Sequence, residues 1–132
     1  MSVARPVEIL GIRRSRRVDV ERDGRVVITD YKSSDVRDPA TANRRARESL
    51  QLAIYALGYE AQHGRPPDDL ALHFLDSGLV GHSEPTERRL EKANEKLVAA
   101  ADGIRAGHFD ATPGPMRCGY CPFREICPDA SQ

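Results

Sequence analysis

The stretch Val26-Val27-Ile28-Thr29-Asp30-Tyr31-Lys32 constrains this chain more than any other. Branched apolar residues, a threonine and a tyrosine favour a β-strand. Asp23-Gly24, just before it, is a strong signal for a two-residue hairpin turn. Side chains alternate along a strand, so Asp30 and Lys32 leave the same face as Val26 and Ile28. An acid and an amine at the end of an apolar strand are costly to bury unless they pair or serve a purpose. A surface ion pair at a strand end meets that condition. So does metal-assisted phosphodiester hydrolysis, in which a carboxylate holds a divalent cation and an ammonium steadies the attacking water or the charge growing on the phosphate.

A chain of 132 residues is sized for one domain. No apolar run reaches membrane-spanning length, and the first residues lack the apolar core of a signal peptide. The net charge is zero but uneven: residues 1–47 hold twelve Lys/Arg against seven Asp/Glu, so the first part could face a polyanion. The three cysteines, Cys118, Cys121 and Cys127, cluster near the end. An odd, clustered set speaks against a secreted disulfide framework and for a metal or cluster site in a reducing compartment, hence a cytoplasmic protein.

In chain order, residues 7–12 read as a first strand, followed by Arg13, Arg14, Arg16 and Arg17. Val18 to Glu21 then pairs back on residues 25–32 as a hairpin. Ser33 to Thr41 reads as a polar loop. Residues 42–63 read as one helix, with Leu50, Ala53, Ile54, Leu57 and Ala61 as its apolar stripe and Gly64 as its stop. Gln51 and Tyr55 sit four apart beside that stripe. Residues 70–75 and 79–84 read as two further strands. Thr86 caps a helix over 87–105 whose stripe is Leu90, Ala93, Leu97, Ala101 and Ile104, with Gly107 after it. His63, His73, His82 and His108 show no ligand spacing and read as structural or surface residues. This order predicts an α/β (α+β) domain with a mixed β-sheet flanked by two long helices.

A hairpin ending in Asp-Tyr-Lys-Ser, a following helix with Gln-Leu-x-x-Tyr and a terminal Cys-x2-Cys-x5-Cys together resemble the PD-(D/E)XK nuclease superfamily. The RecB/AddB type, the C-terminal nuclease domain of UvrD-like helicase-nucleases, is the nearest likeness, and residues 8–127 fit in order. The resemblance implies a restriction-endonuclease-like core over residues 1–110 and a Cys-containing tail over 111–132 that packs on it. It implies a DNA exonuclease acting in end processing, recombination and repair, with DNA and a helicase portion or subunit as partners. Asp30 would bind Mg²⁺ or Mn²⁺, the Tyr31 carbonyl would assist, and Lys32 would be the catalytic lysine. Gln51, Tyr55, Arg16 and Arg17 would contact DNA or brace the site. Cys118, Cys121 and Cys127 would ligate a 4Fe–4S cluster, with zinc as the competing occupant.

Three departures from the family pattern bear on activity. The first hairpin strand normally carries a metal-binding Asp; matching Arg17-Val18-Asp19 to the family motif puts Arg16 there. A two-residue turn instead sets Arg17 opposite Asp30. Asp19 would then share the face of Asp30 and could substitute as ligand. An arginine beside Asp30 would repel the cation, which allows a second reading: a catalytically degenerate module that binds DNA or a partner subunit. An upstream helix and a fourth cysteine are also expected and missing, as in a C-terminal fragment of a larger protein.

Overall fold

The computed structural model describes residues 16–131; the strand expected at residues 7–12 lies outside them. Four strands, β1 (Arg16–Val20), β2 (Val26–Lys32), β3 (Asp69–Phe74) and β4 (Val80–Ser83), form one sheet in the order β1-β2-β3-β4. The outer pairs are antiparallel and β2 runs parallel to β3, so the sheet is mixed, as expected. A parallel pair needs a long crossover. Here it is supplied by two helices, α1 (Pro39–Glu48) and α2 (Leu50–His63). A third, α3 (Glu87–Arg105), follows β4.

The hairpin between β1 and β2 differs from expectation by one residue. Its loop has three residues rather than two: Glu21 N–H donates to Arg25 O at 2.8 Å, and Gly24 N–H donates back to Glu21 O at 2.9 Å. Gly24 takes φ 84°, the left-handed residue that closes such a loop. The register therefore pairs Arg16, not Arg17, with Asp30, and pairs Arg17 with Thr29 and Asp19 with Val27. A one-residue slip moves every side chain of a strand to the other face. Asp19 accordingly lies on the face opposite Asp30, which corrects the expectation that the two could share a cation.

The helix expected over 42–63 is two helices broken at Ser49. Pro39, read as loop punctuation, is instead the first helical residue of α1, with Asp38 as N-cap accepting from Thr41 N at 2.8 Å. That bond, with a second from the Thr41 hydroxyl, holds the Asp38 carboxyl below its usual range. Ser49 leaves the helical region (φ −69°, ψ 107°) and its hydroxyl accepts from Leu52 N at 3.2 Å, capping α2. The buried face of α2 is also rotated from the expected stripe. Leu52, Ala53, Tyr55, Ala56 and Tyr59 are buried, whereas Leu50 and Ala61 are exposed.

Val26, Ile28, Leu70, Leu72 and Phe74 form the core with these helices, and Ala42 and Ala46 of α1 are fully buried beside β4. The approach of α1 to β4 is close enough that a Cβ on Gly81 would fall on the Ala42 carbonyl. Asn43 Oδ1 accepts from His82 N at 2.9 Å along the same contact. Of the stripe expected on α3, Leu90 and Ala93 are buried, but Leu97 and Ile104 are exposed at 37% and 64%.

The chain divides into two compact units within α3, between Leu97 and Val98. The second unit holds the end of α3, a short helix α4 (Pro115–Gly119) and a single 3-10 turn at Arg124–Ile126. Among the described residues, no helix is long and apolar enough to cross a membrane.

Candidate active site

β2 places Asp30 and Lys32 on its core-facing side, following Val26 and Ile28. Asp30 is fully buried at 0% exposure, and the Lys32 ammonium lies 2.8 Å from its Oδ2. The contact is an ion pair rather than a hydrogen bond. Neither carboxylate oxygen of Asp30 accepts a hydrogen bond from the described residues. A buried carboxylate with open acceptor positions is uncommon, because its desolvation is normally offset by donors.

Lys32 reaches further. Its Nζ donates to Gln51 Oε1 at 2.6 Å, and Gln51 Nε2 donates to the Tyr55 hydroxyl at 2.7 Å. Gln51 and Tyr55 are one turn apart on α2, which sets both on the same side of the helix. The structure thus joins Asp30, Lys32, Gln51 and Tyr55 into one connected line. Tyr55 is 4% exposed, so the far end of that line is anchored in the core.

The break at Ser49 directs the start of α2 towards this line, and Arg89 of α3 holds the break. Its guanidinium donates to Ala46 O at 2.8 Å, to Ser49 O at 3.0 Å and to the Ser83 hydroxyl at 2.7 Å. The last carbonyls of a helix lack intrahelical partners, and a cation there also suits the helix dipole. Among the described residues no carboxylate forms an ion pair with this half-buried guanidinium, and burial lowers its pKa from the ordinary value. No spacing in the sequence signals this role, because Arg89 is 40 residues from Ser49. A small cavity beside Lys32 is bordered by Ser34 and Arg45, also missed from sequence, with Arg45 Nη1 donating to Ser34 Oγ at 3.3 Å.

The remaining expected residues fall elsewhere. Arg17, Asp19 and Tyr31 border the opposite face of the sheet. Arg17 Nε pairs with Asp19 Oδ1 at 2.5 Å, which raises the arginine's pKa, and the Tyr31 ring packs 5.5 Å from that of His73. Arg16 is the register partner of Asp30. Cys118 is buried, with its Sγ accepting from Ser131 N at 3.4 Å, while Cys121 is exposed and Cys127 intermediate. The described His, Cys, Asp and Glu residues form no group of three able to hold a metal. As placed, the three thiols do not fit a 4Fe–4S cluster or a zinc site.

Asp30 does fit an oxygen-liganded cation. Its oxygens, neither accepting a hydrogen bond from the described residues, are the donors such an ion takes, and Mg²⁺ is commonly held by one or two carboxylates with water and phosphate completing its shell. A family model for the PD-(D/E)XK nuclease superfamily matches residues 16–128, spanning the hairpin, the crossover helices and the cysteine tail. The chain belongs to the PD-(D/E)XK nuclease superfamily. Its members use divalent metals such as Mg²⁺ and act on DNA, which agrees with the open carboxylate of Asp30 and the neighbouring Lys32. No curated protein matches the chain at a significant level.

Proposed function

We propose that this chain is a divalent-metal-dependent deoxyribonuclease whose site is Asp30, Lys32, Gln51 and Tyr55. The single observation that supports it most is the buried Asp30 carboxylate, which accepts no hydrogen bond from the described residues and has the Lys32 ammonium 2.8 Å from its Oδ2. Asp30 and the Tyr31 carbonyl would hold Mg²⁺ or Mn²⁺. The bound metal supplies Lewis-acid polarisation of the phosphate and a water more easily deprotonated. Lys32 presents its ammonium to the charge that grows on the phosphate oxygens. Gln51, oriented by the Tyr55 hydroxyl, restricts where that ammonium points, so the charge is placed before the substrate arrives.

The finer reading is an exonuclease of the RecB/AddB type, working with a helicase portion or subunit in DNA end processing, recombination and repair. It is supported by the order of Asp-Tyr-Lys, Gln-x3-Tyr and the three-cysteine tail along one chain. Cleavage of linear but not circular single-stranded DNA supports the exonuclease; equal cleavage of both refutes it.

One observation favours a second reading. Arg16 is the register partner of Asp30, and Asp30 belongs to no group of three metal-ligating side chains among the described residues. On that reading the chain binds DNA or a partner subunit without cutting. A nuclease assay with Mn²⁺ on single-stranded and blunt duplex DNA separates the two. Cleavage by the wild type, abolished in Asp30→Ala and Lys32→Ala, establishes the enzyme. Binding without cleavage by the wild type establishes the module.

A further inference from the structure

Beyond the small cavity at Lys32, the surface continues. That cavity shares Glu48 and Ser49 with an open groove of about 860 Å³ between the α1–α2 break, β4 and the start of α3. The groove is bordered by Arg47, Arg88, Arg89, Lys92 and Lys96, and by three carboxylates, Glu48, Glu84 and Glu95. Lys32 and Arg45 add two cations at the near end. Seven cations against three carboxylates is a strong local excess in a chain of net charge zero.

Outside the groove, Arg17, Arg25, Arg37, Arg65 and Arg105 each lie within ion-pair distance of an aspartate, whereas Arg22, Arg44, Arg117 and Arg124 lie scattered without one among the described residues. Among the described residues Arg45, Arg47, Arg88, Lys92 and Lys96 pair with no carboxylate, although Glu48, Glu84 and Glu95 stand nearby. Arg88, Lys92 and Lys96 recur every fourth residue of α3, so all three exposed side chains lie along one side of that helix. Arg89 beneath them is engaged by carbonyls and holds the floor. A continuous line of unpaired cations leading away from a site for phosphodiester chemistry fits a phosphate backbone.

We propose that a single DNA strand passing through the Asp30–Lys32 site runs over the Ser49 break and along this groove, its phosphates held by Arg45, Arg47, Arg88, Lys92 and Lys96. The path rests on the nuclease-family reading of the ligand, but not on cleavage. The groove lining contains no Phe, Tyr or Trp and one imidazole, His82, so cations far outnumber aromatic rings there. Binding along it is therefore set by phosphate contacts, independent of sequence and steeply dependent on salt.

The test measures anisotropy of a fluorescent single strand over a salt series, with the wild type, Arg88→Gln/Lys92→Gln/Lys96→Gln, Arg45→Gln/Arg47→Gln, and a charge-matched control, Arg22→Gln/Arg37→Gln/Arg105→Gln. Each phosphate contact on a single strand contributes about 0.7 to the slope of log K against log salt, so the α3 triple variant is expected to lose about 2 in slope. The α1 double variant is expected to lose about 1.4, and the control nothing. Thermal melts of all variants should coincide, because every substituted side chain is exposed. In the cleavage assay the groove variants should raise KM with kcat unchanged, the mark of a binding contact away from the reacting bond.

A wild type that binds no DNA overturns the path. So does a groove variant with the wild-type slope, or a control that loses as much. These results do not depend on cleavage, because the slopes are read without added divalent metal. A wild type that binds through the groove but cuts nothing sinks the enzyme while leaving the path standing.

Discussion

The two faces of the sheet hold their carboxylates in opposite ways. On the core face Asp30 is fully buried and, among the described residues, accepts no hydrogen bond and pairs with the Lys32 ammonium alone. On the other face Asp69 is 8% exposed and well supplied: His82 Nδ1 lies 2.7 Å from its Oδ2 and Arg25 Nη2 lies 3.9 Å away. Asp19, further along that face, is paired with Arg17. Both faces carry acids, aromatic rings and cations, so residue content does not distinguish them. What distinguishes them is saturation. A carboxylate already met by its own fold has little reason to take a cation, and one left open has a standing desolvation cost that a cation would relieve.

The largest expected effect comes from removing the open carboxylate. Asp30→Asn should lower metal-dependent cleavage by about 10²–10³-fold, the scale seen when one preorganised electrostatic partner of a transition state is lost. Asp69→Asn, changing another buried acid one strand away, should leave the cleavage rate where it was. Equal losses in a steady-state assay would erase the distinction between the faces.

Next in size are two changes that disturb how the helices cover the core face. Gly81→Ala should destabilise by about 1–3 kcal/mol in urea unfolding, since the added methyl meets the Ala42 carbonyl and backbone cannot easily yield. Arg89→Met keeps the apolar stem and removes the donors to Ala46 O and Ser49 O; a loss of about 2 kcal/mol is expected. Cleavage should fall further than stability explains, because the Ser49 break sets where Gln51 meets Lys32. If Arg89→Met melts lower but cuts normally, the break has no positioning role.

Smaller still is Asp19→Asn. If Asp19 were the second metal ligand, this change would cost as much as Asp30→Asn. On the opposite face and paired with Arg17, it should leave both the melting temperature and the metal dependence of cleavage unchanged. This comparison turns on one residue of loop length. The sequence showed a hairpin at Asp23-Gly24 and a strand carrying Asp30 and Lys32 on one face, and both are present. Asp-Gly suits a two-residue turn as well as a three-residue loop with Gly24 left-handed, so local chemistry left the register open. The break at Ser49 was legible in principle, since serine is a strong N-cap, but the apolar run on both sides hid it. Arg89 was not legible at all: its partners are three carbonyls and a hydroxyl, which belong to no side-chain motif.

The smallest effect concerns a carboxylate held by donors rather than left open. Asp68 accepts the backbone N–H of Val26 at 2.7 Å, and its own N–H donates to Val26 O at 2.8 Å, so it ties the entry of β3 to the entry of β2. That backbone donor, followed by Arg65 and Arg25 nearby, holds its pKa below the ordinary aspartate value. A folded-state pKa below the unfolded one means the unfolded chain binds the proton more readily. The stabilisation is therefore fully present above the unfolded-state pKa, near 4, and is lost as pH falls through the lower folded-state value. Asp68→Asn keeps an oxygen for Val26 N but has no charge to lose. Its melting temperature at pH 7 should sit slightly below that of the wild type, and the two should converge under acid. Asp68 is well exposed, so solvent keeps the difference small. A gap that persists unchanged into acid would show that the hydrogen bond, not the charge, carries the effect.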